Sequence, residues 1–231
     1  VERAVEGARF PYLAPRHHNP SKMDYLSKWT GRLLHAGVLQ PARVAGPSAA
    51  PSFVTGTAEK PRVVHDTSRH KQLIQPFKHP EPTPEEKLAL FAGFKCGAQF
   101  DLPEAFYKLH HDPSTDEALR QISVGSSIFT SNAIIMGSPN SSAILGNVMA
   151  QVLGPLYLNP VMPTADDIGV PAAGPTVAAA QAKLADVLEQ LFARLDHHNT
   201  TIKASKTKLY TERMVYCGNI ITPEGHRRNP N

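Results

Sequence analysis

The sequence predicts an α+β fold, with short strands paired as hairpins and amphipathic helices between them. Three observations predict it. Strand-like runs flank turn sequences at Gly56-Thr57-Ala58-Glu59, at Gly125-Ser126-Ser127 and around Ala165-Asp166-Asp167. Apolar residues recur at helical spacing from Leu26 to Leu34, from Ile144 to Leu153 and from Val177 to Leu195. Aspartates stand in two strand contexts, Phe100-Asp101-Leu102 and Thr164-Ala165-Asp166-Asp167-Ile168.

Residues 1–20 are rich in Pro, His and Arg, lack periodicity and read as an extended arm. Ser21 then offers an N-cap with Asp24 three residues on, ahead of a helix carrying Leu26, Trp29, Leu33 and Leu34 that Gly37 can close. Ala42 to Ser52 is Pro, Gly, Ala and Ser and reads as a loop, followed by strands at Phe53-Val54 and Pro61–Val64. Thr83-Pro84-Glu85-Glu86 is a capping box with Pro at the first helical position, and that helix should end near Gly93. The first aspartate strand follows, then a hairpin with strands near Leu119–Val124 and Ile128–Ala133. Asn140 is the expected cap of the next helix, which Gly154-Pro155 stops. After the Asp-Asp hairpin comes a helix from about Thr176 to Asp196, whose stripe of Val177, Ala180, Leu184, Val187, Leu188, Leu191 and Leu195 is core. Strands are expected at Thr201–Ala204, Met214–Cys217 and Asn219–Ile221.

With 231 residues, 41% apolar and 19% charged, the chain has the composition of a globular protein of one large domain or two lobes. No apolar run is long enough for a membrane-spanning helix, so no membrane partner is expected. Val1-Glu2-Arg3 has neither an initiator Met nor the apolar core of a signal peptide. The expectation is therefore a piece of a longer protein, intracellular (cytoplasm or nucleus) and not secreted. Cys96 and Cys217, the only cysteines, belong to no Cys-x-x-Cys pair and read as buried free thiols. The pairs His17-His18, His110-His111 and His197-His198 point in divergent directions and make poor chelators. A net charge of +4 permits polyanion binding without demanding it.

Carboxylates brought together repel unless a divalent cation neutralises them. An oxygen-only donor set suits Mg2+, which takes one or two protein carboxylates together with substrate phosphates and waters. Asp101, Asp166 and Asp167 are the candidates.

Several motifs in this order resemble the fingers and palm of reverse transcriptases, most nearly those of gypsy-class LTR retrotransposons and related retroviral and pararetroviral enzymes. Arg32–Pro41 is similar to the family's opening helix and its exit, and Arg62-Val63-Val64-His65-Asp66 to the fingers strand. Phe100-Asp101-Leu102-Pro103-Glu104-Ala105-Phe106 is similar to the first palm motif, and Met136–Ala143 to the segment beneath the nascent base pair. Ala165-Asp166-Asp167 resembles the Asp-Asp motif. Lys206-Thr207-Lys208 with Val215-Tyr216-Cys217-Gly218 resembles the lysine segment and the palm-to-thumb turn.

The resemblance implies a right-hand polymerase palm, an antiparallel sheet packed on helices, with a fingers subdomain and no thumb. The implied boundaries are an arm at 1–20, fingers at 21–80, palm at 81–118, a fingers-type hairpin at 119–139, and palm again at 140–231. It implies an RNA-directed DNA polymerase from a retroelement polyprotein, working on an RNA or DNA template with a primer and deoxynucleoside triphosphates. The thumb and RNase H regions would belong to the parent. Two Mg2+ ions would be held by Asp101, the Leu102 carbonyl, Asp166 and, ranked third, Asp167. Lys208 would be the acid for the leaving pyrophosphate. Arg62 would take the γ-phosphate, Phe106 would exclude a 2′-hydroxyl, and Met136 and Gly137 would lie against the nucleotide. Departures also stand in the sequence: Thr164 replaces the usual aromatic, Ser142 a common Pro, and Asp66-Thr67-Ser68-Arg69-His70-Lys71 the usual Asp-Tyr-Arg-x-Leu-Asn. They leave open a domesticated, catalytically weak, RNA-binding or structural subunit of a ribonucleoprotein.

Overall fold

The computed structural model describes residues 2–44, 46 and 48–230; Val1 of the arm, Ala45 and Pro47 of the expected loop, and Asn231 lie outside them. In chain order, α1 (Pro20–His35) precedes the strands β1 (Leu39–Pro41), β2 (Ala50–Gly56) and β3 (Pro61–His65). Next come α2 (Pro84–Ala89), β4 (Phe94–Asp101), α3 (Glu117–Arg120), β5 (Gln121–Val124) and β6 (Ser127–Ser131). α4 (Ser141–Leu153) leads to β7 (Met162–Thr164), β8 (Asp167–Ala173) and α5 (Val177–His197). The described residues end with β9 (Lys208–Thr211), β10 (Met214–Tyr216), β11 (Asn219–Thr222) and β12 (Gly225–Arg228). The α+β expectation holds, with the elements divided between two compact units, Val1–Lys78 with Phe106–Ala143 and His79–Ala105 with Ile144–Asn231.

In the first unit the described residues form a five-stranded sheet in the order β1-β6-β5-β2-β3. Its pairs are antiparallel except β2 with β5, which run parallel through Ala50↔Ile122 and Pro51↔Ser123. α1 lays Leu26, Trp29 and Leu33 against Ala50, Val63, Ile122 and Ile135. The cap of α1 is Asn19 rather than Ser21: its side chain accepts from Lys22 N–H at 2.9 Å, and Pro20 takes the first helical position. Pro has no N–H to satisfy there, so the start moves upstream of the expected box. Part of the arm is anchored, because Ala4 bridges Ile74, Val5 N–H donates to Leu73 O at 2.8 Å, and buried Glu2 accepts from Ser138 Oγ. Leu119 lies in α3, not in a strand, because the Asp116 side chain caps this turn at Ala118 N–H.

In the second unit the described residues form a four-stranded antiparallel sheet, β7-β8-β4-β9, and a three-stranded one, β10-β11-β12. α5 packs on β4 and β8 through the predicted stripe, of which Ala180, Leu184, Leu188, Leu191 and Leu195 are buried. Val177, at the first turn, is 39% exposed. Phe100 of β4 meets Phe192 edge-on, with centroids 5.6 Å apart. Arg194 of α5 donates to the carbonyls of Val152 at 2.6 Å and Gln151 at 3.0 Å, satisfying the open C-terminal end of α4. Gly97 lets β10 approach β4: a Cβ there would stand 2.5 Å from Met214 Sδ and 2.7 Å from Val170 O. The predicted capping box of α2 is present in both directions, Glu86 N–H to Thr83 Oγ1 and Thr83 N–H to Glu86 Oε2. α2 stops at Ala89, earlier than expected.

Thr201–Ala204 forms no strand; a 3-10 turn at Ala204–Lys206 occupies this stretch, and β9 and β12 were unforeseen. Both are exposed strands without apolar alternation, and their pairing partners rather than their own residues make them strands. Cys96 is buried and Cys217 half-buried, both as free thiols. Among the described residues no helix is long and apolar enough to cross a membrane.

Candidate active site

β4 runs out at Asp101 because Pro103 follows and cannot continue the ladder. β8 begins at Asp167 after a two-residue turn, Ala165-Asp166, with Ala165 held at φ 50°. The antiparallel register sets Asp101 directly opposite Asp167, so their side chains share a face with Cβ atoms about 5 Å apart. Leu102 N–H donates to Asp166 O at 2.7 Å, tying the turn to the end of β4. The second unit thus brings Asp101, Leu102, Asp166 and Asp167 to one place, with Asp167, ranked third from the sequence, directly opposite Asp101.

Burial, like charge and one lysine together set the electrostatics at this end. Partial burial pushes the Asp167 carboxyl above its ordinary range, the charges of Asp166 and Asp101 push it further, and Lys206 opposes them. Lys206 Nζ lies 2.5 Å from Asp101 Oδ1, with Asp101 13% and Lys206 56% exposed. That hydrogen bond, with the fields of all three aspartates, holds the Lys206 ammonium above its ordinary value. Lys203 N–H donates to Asp101 O at 2.9 Å, which fixes the turn that carries Lys206.

Lys206, not Lys208, is therefore the cation at the carboxylates. Lys208 is exposed on β9 opposite Gln99. Residues two apart share a face only if both lie in a strand, and Lys206 belongs to the preceding turn, so spacing could not choose between them.

Beneath the hairpin lies Lys87, which sequence reasoning missed. It is 3% exposed and donates to Thr164 Oγ1 at 3.0 Å and Pro163 O at 3.3 Å, while pairing with Glu81. Tyr216 Oη lies 2.7 Å from Thr164 Oγ1. Thr164, where the resemblance leads one to expect an aromatic, is the junction of this buried polar network. No local signal marked it, because Lys87 follows Glu85 and Glu86 in a charged first turn of α2.

The remaining candidates lie in the first unit. Arg62 is exposed on β3, on the face opposite buried Val63 and His65. Met136 is 39% exposed. Gly137, at φ 101°, stands so close to the end of β3 that a Cβ would lie 3.2 Å from His65 O, and its carbonyl accepts from Thr67 Oγ1. Phe106 is half-buried in a 3-10 turn, Ala105–Lys108. Asn140 does not act as a free cap: its amide joins Phe77 N–H and Gln75 O, both at 2.9 Å.

Among the described residues, no three His, Cys, Asp or Glu side chains converge as a ready-made metal cage. The carboxylates of Asp101, Asp166 and Asp167 are oxygen donors of the kind that Mg2+ takes from a protein. Lys206, drawn onto Asp101, stands where a cation is favoured.

Solved structures with this architecture include foamy virus protease–reverse transcriptases. One, in complex with double-stranded DNA, matches 97% of this chain over 38% of its own length, with a TM-score of 0.78 and 17% identity. Another, in complex with an RNA/DNA hybrid, matches 99% of this chain over 30% of its own, with a TM-score of 0.80 and 16% identity. A prototype foamy virus CSH mutant matches 93% over 28%, at 0.78 and 18%. These likenesses establish a reverse-transcriptase fingers and palm fold, of which the chain spans about a third of the length of those proteins. No curated protein matches the sequence at a significant level. Residues 54–221 match the family described as Reverse transcriptase (RNA-dependent DNA polymerase), and the chain belongs to that family.

Proposed function

We propose that this chain is the fingers and palm portion of an RNA-directed DNA polymerase, extending a primer on an RNA or DNA template with deoxynucleoside triphosphates. The observation that carries this reading is the pairing of Asp101 with Asp167 at the end of β4, with Asp166 in the adjoining turn. Divalent metal ions serve reverse transcriptase domains generally; here two Mg2+ ions would bind Asp101, Asp166, Asp167 and the Leu102 carbonyl. Bound there, they supply activation of the 3′-hydroxyl and neutralisation of the leaving pyrophosphate. The chain's own residues do the rest. The hydrogen bond from Leu102 N–H to Asp166 O holds the carboxylates at the strand ends, and Lys206 supplies a positive charge beside them. Arg62 would hold the triphosphate by its planar fork. Phe106 would exclude a ribose 2′-hydroxyl, and Met136 with Gly137 would contact the nucleotide. The first compact unit would serve as fingers and the second as palm, completed by thumb and RNase H regions of a parent polyprotein.

One observation favours a second reading, a domesticated RNA-binding or structural subunit: Lys206 already neutralises an oxygen of Asp101. Primer extension on poly(rA)/oligo(dT) with dTTP and Mg2+, by the chain in its parent polypeptide, separates the two. Extension lost in Asp166→Asn supports the polymerase. Binding of the template without extension supports the scaffold.

A further inference from the structure

The carboxylate hairpin stands at the rim of its sheet. β7 is the outermost strand of the order β7-β8-β4-β9, so one of its edges pairs with no strand of that sheet. Thr164↔Asp167 closes the ladder at the turn, and Pro163↔Ile168 is the next pair. Bonded and unbonded pairs alternate along an antiparallel ladder, so Pro163 points its carbonyl outward, away from β8, and as a proline it has no N–H to donate there. β7 has only three residues, so few ladder bonds hold the turn from this side. The turn itself is strained, because Ala165 is a non-glycine residue at φ 50°.

Lys87 of α2 occupies this open edge. Its side chain is buried, and Nζ donates to Pro163 O at 3.3 Å and to Thr164 Oγ1 at 3.0 Å. Glu81 takes a third N–H, so every donor of the ammonium has an acceptor. Tyr216 of β10, also buried, places Oη 2.7 Å from the same Thr164 Oγ1. Thr164 is therefore gripped between α2 and β10, one residue ahead of the turn Ala165-Asp166. A methionine would fill the same space without the cost of burying an ammonium, so volume gives no reason for a lysine here. What the lysine adds is direction, because its hydrogen bonds are made only while Pro163 and Thr164 keep this placement. Its partners are Glu81 and β7, not the carboxylate that Lys206 meets.

We propose that Lys87 is a positioning residue: by holding the outer edge of β7 through Pro163 and Thr164, it keeps the turn where Asp166 and Asp167 stand beside Asp101, and so sets the affinity of these carboxylates for a divalent cation. It touches neither metal nor nucleotide. The inference rests on the metal site of the polymerase reading, but the hold on the turn is measurable without metal or activity. Groups that orient ligands from behind change metal affinity by about 10–100-fold when removed. Lys87 acts at one further remove, through the residue before the turn, so the lower end of that range is expected.

The test has two readouts on Lys87→Met. The first is amide exchange in EDTA, followed by nuclear magnetic resonance. Leu102 N–H, which donates to Asp166 O, reports the turn, and Ala98, in the middle of β4, reports the sheet. Exchange at Leu102 should quicken about fivefold more than at Ala98, the scale of one lost hydrogen bond. The second readout is Mn2+ binding by paramagnetic resonance, expected to weaken about tenfold. Thr164→Val, which keeps the side-chain shape and removes the shared acceptor, should do the same, and the double variant should be no worse than either single one. Thr164→Ser should bind Mn2+ as the parent does. The Val and Ser pair decides the matter should Lys87→Met fail to fold. Equal quickening at Leu102 and Ala98 would make Lys87 a residue of general stability and overturn the proposal. So would an unchanged Mn2+ affinity in both Lys87→Met and Thr164→Val while Asp166→Asn abolishes binding. Mn2+ binding that survives Asp166→Asn would instead count against the metal site itself, and exchange at Leu102 then decides whether Lys87 holds the turn.

Discussion

Lys206 Nζ and Asp101 Oδ1 are 2.5 Å apart, and that ion pair joins a mostly exposed lysine to the least exposed of the three hairpin aspartates. Lys206 is more than half exposed, so the pair adds well under about 1 kcal/mol to stability. Its consequence is competition for an oxygen that a metal would use. Lys206→Met should tighten divalent-cation binding several-fold, measured with Mn2+ by paramagnetic resonance, with the urea midpoint nearly unchanged. An unaltered Mn2+ affinity would mean that the ammonium does not compete there.

Asp101→Asn and Asp166→Asn are each expected to remove nucleotide addition by at least about a hundredfold, on the scale of lost electrostatic stabilisation. Thermal melting should stay close to that of the parent. Primer extension retained in either variant would remove the metal assignment.

Asp167 gives a pH-dependent prediction. Its folded-state pKa is raised above the ordinary 3.8, by burial first and then by Asp166 and Asp101. A raised carboxyl favours folding only while protonated. Its favourable contribution is complete below pH 3.8 and is lost as pH rises through the folded value. Asp167→Asn should therefore melt higher than the parent at neutral pH, by less than about 1 kcal/mol in view of its exposure. The gap should close on acidification. Melting curves from pH 3 to 7 check this, and an Asn variant that is less stable at pH 7 would contradict it.

Lys87→Met keeps the volume of a buried side chain but removes one donor each from Thr164, Pro163 and Glu81, while Thr164 Oγ1 keeps Tyr216 Oη and Pro163 O keeps Thr164 Oγ1. Glu81 is 41% exposed and can return to water, so the loss should be about 0.5–1.5 kcal/mol, the net worth of a hydrogen bond whose acceptors keep other partners. Urea unfolding measures it. A neutral substitution would show that the network contributes no stability to the hairpin.

Phe106→Ala should relax discrimination against ribonucleotides, read from incorporation of UTP against dTTP. An unchanged ratio would return Phe106 to a packing role in its 3-10 turn.

The sequence by itself determined the elements whose signals are local. The Thr83–Glu86 box, the α5 stripe from Ala180 to Leu195 and the strand ending at Asp101 depend on residues within a turn or two of one another, and each forms where its own residues place it. The order of motifs was likewise enough to indicate the family. Only the tertiary structure decided what depends on partners far along the chain. It made strands of Lys208–Thr211 and Gly225–Arg228 by pairing them with β4 and β11, and spent the Asn140 amide on Gln75 and Phe77 rather than on a cap. It put Lys206 rather than Lys208 on Asp101, across 105 residues of sequence, and buried Lys87 under Thr164. Propensity and periodicity are summed over neighbours in sequence. Charge and hydrogen bonding act between neighbours in space, and the chain's path between them is written in no single segment.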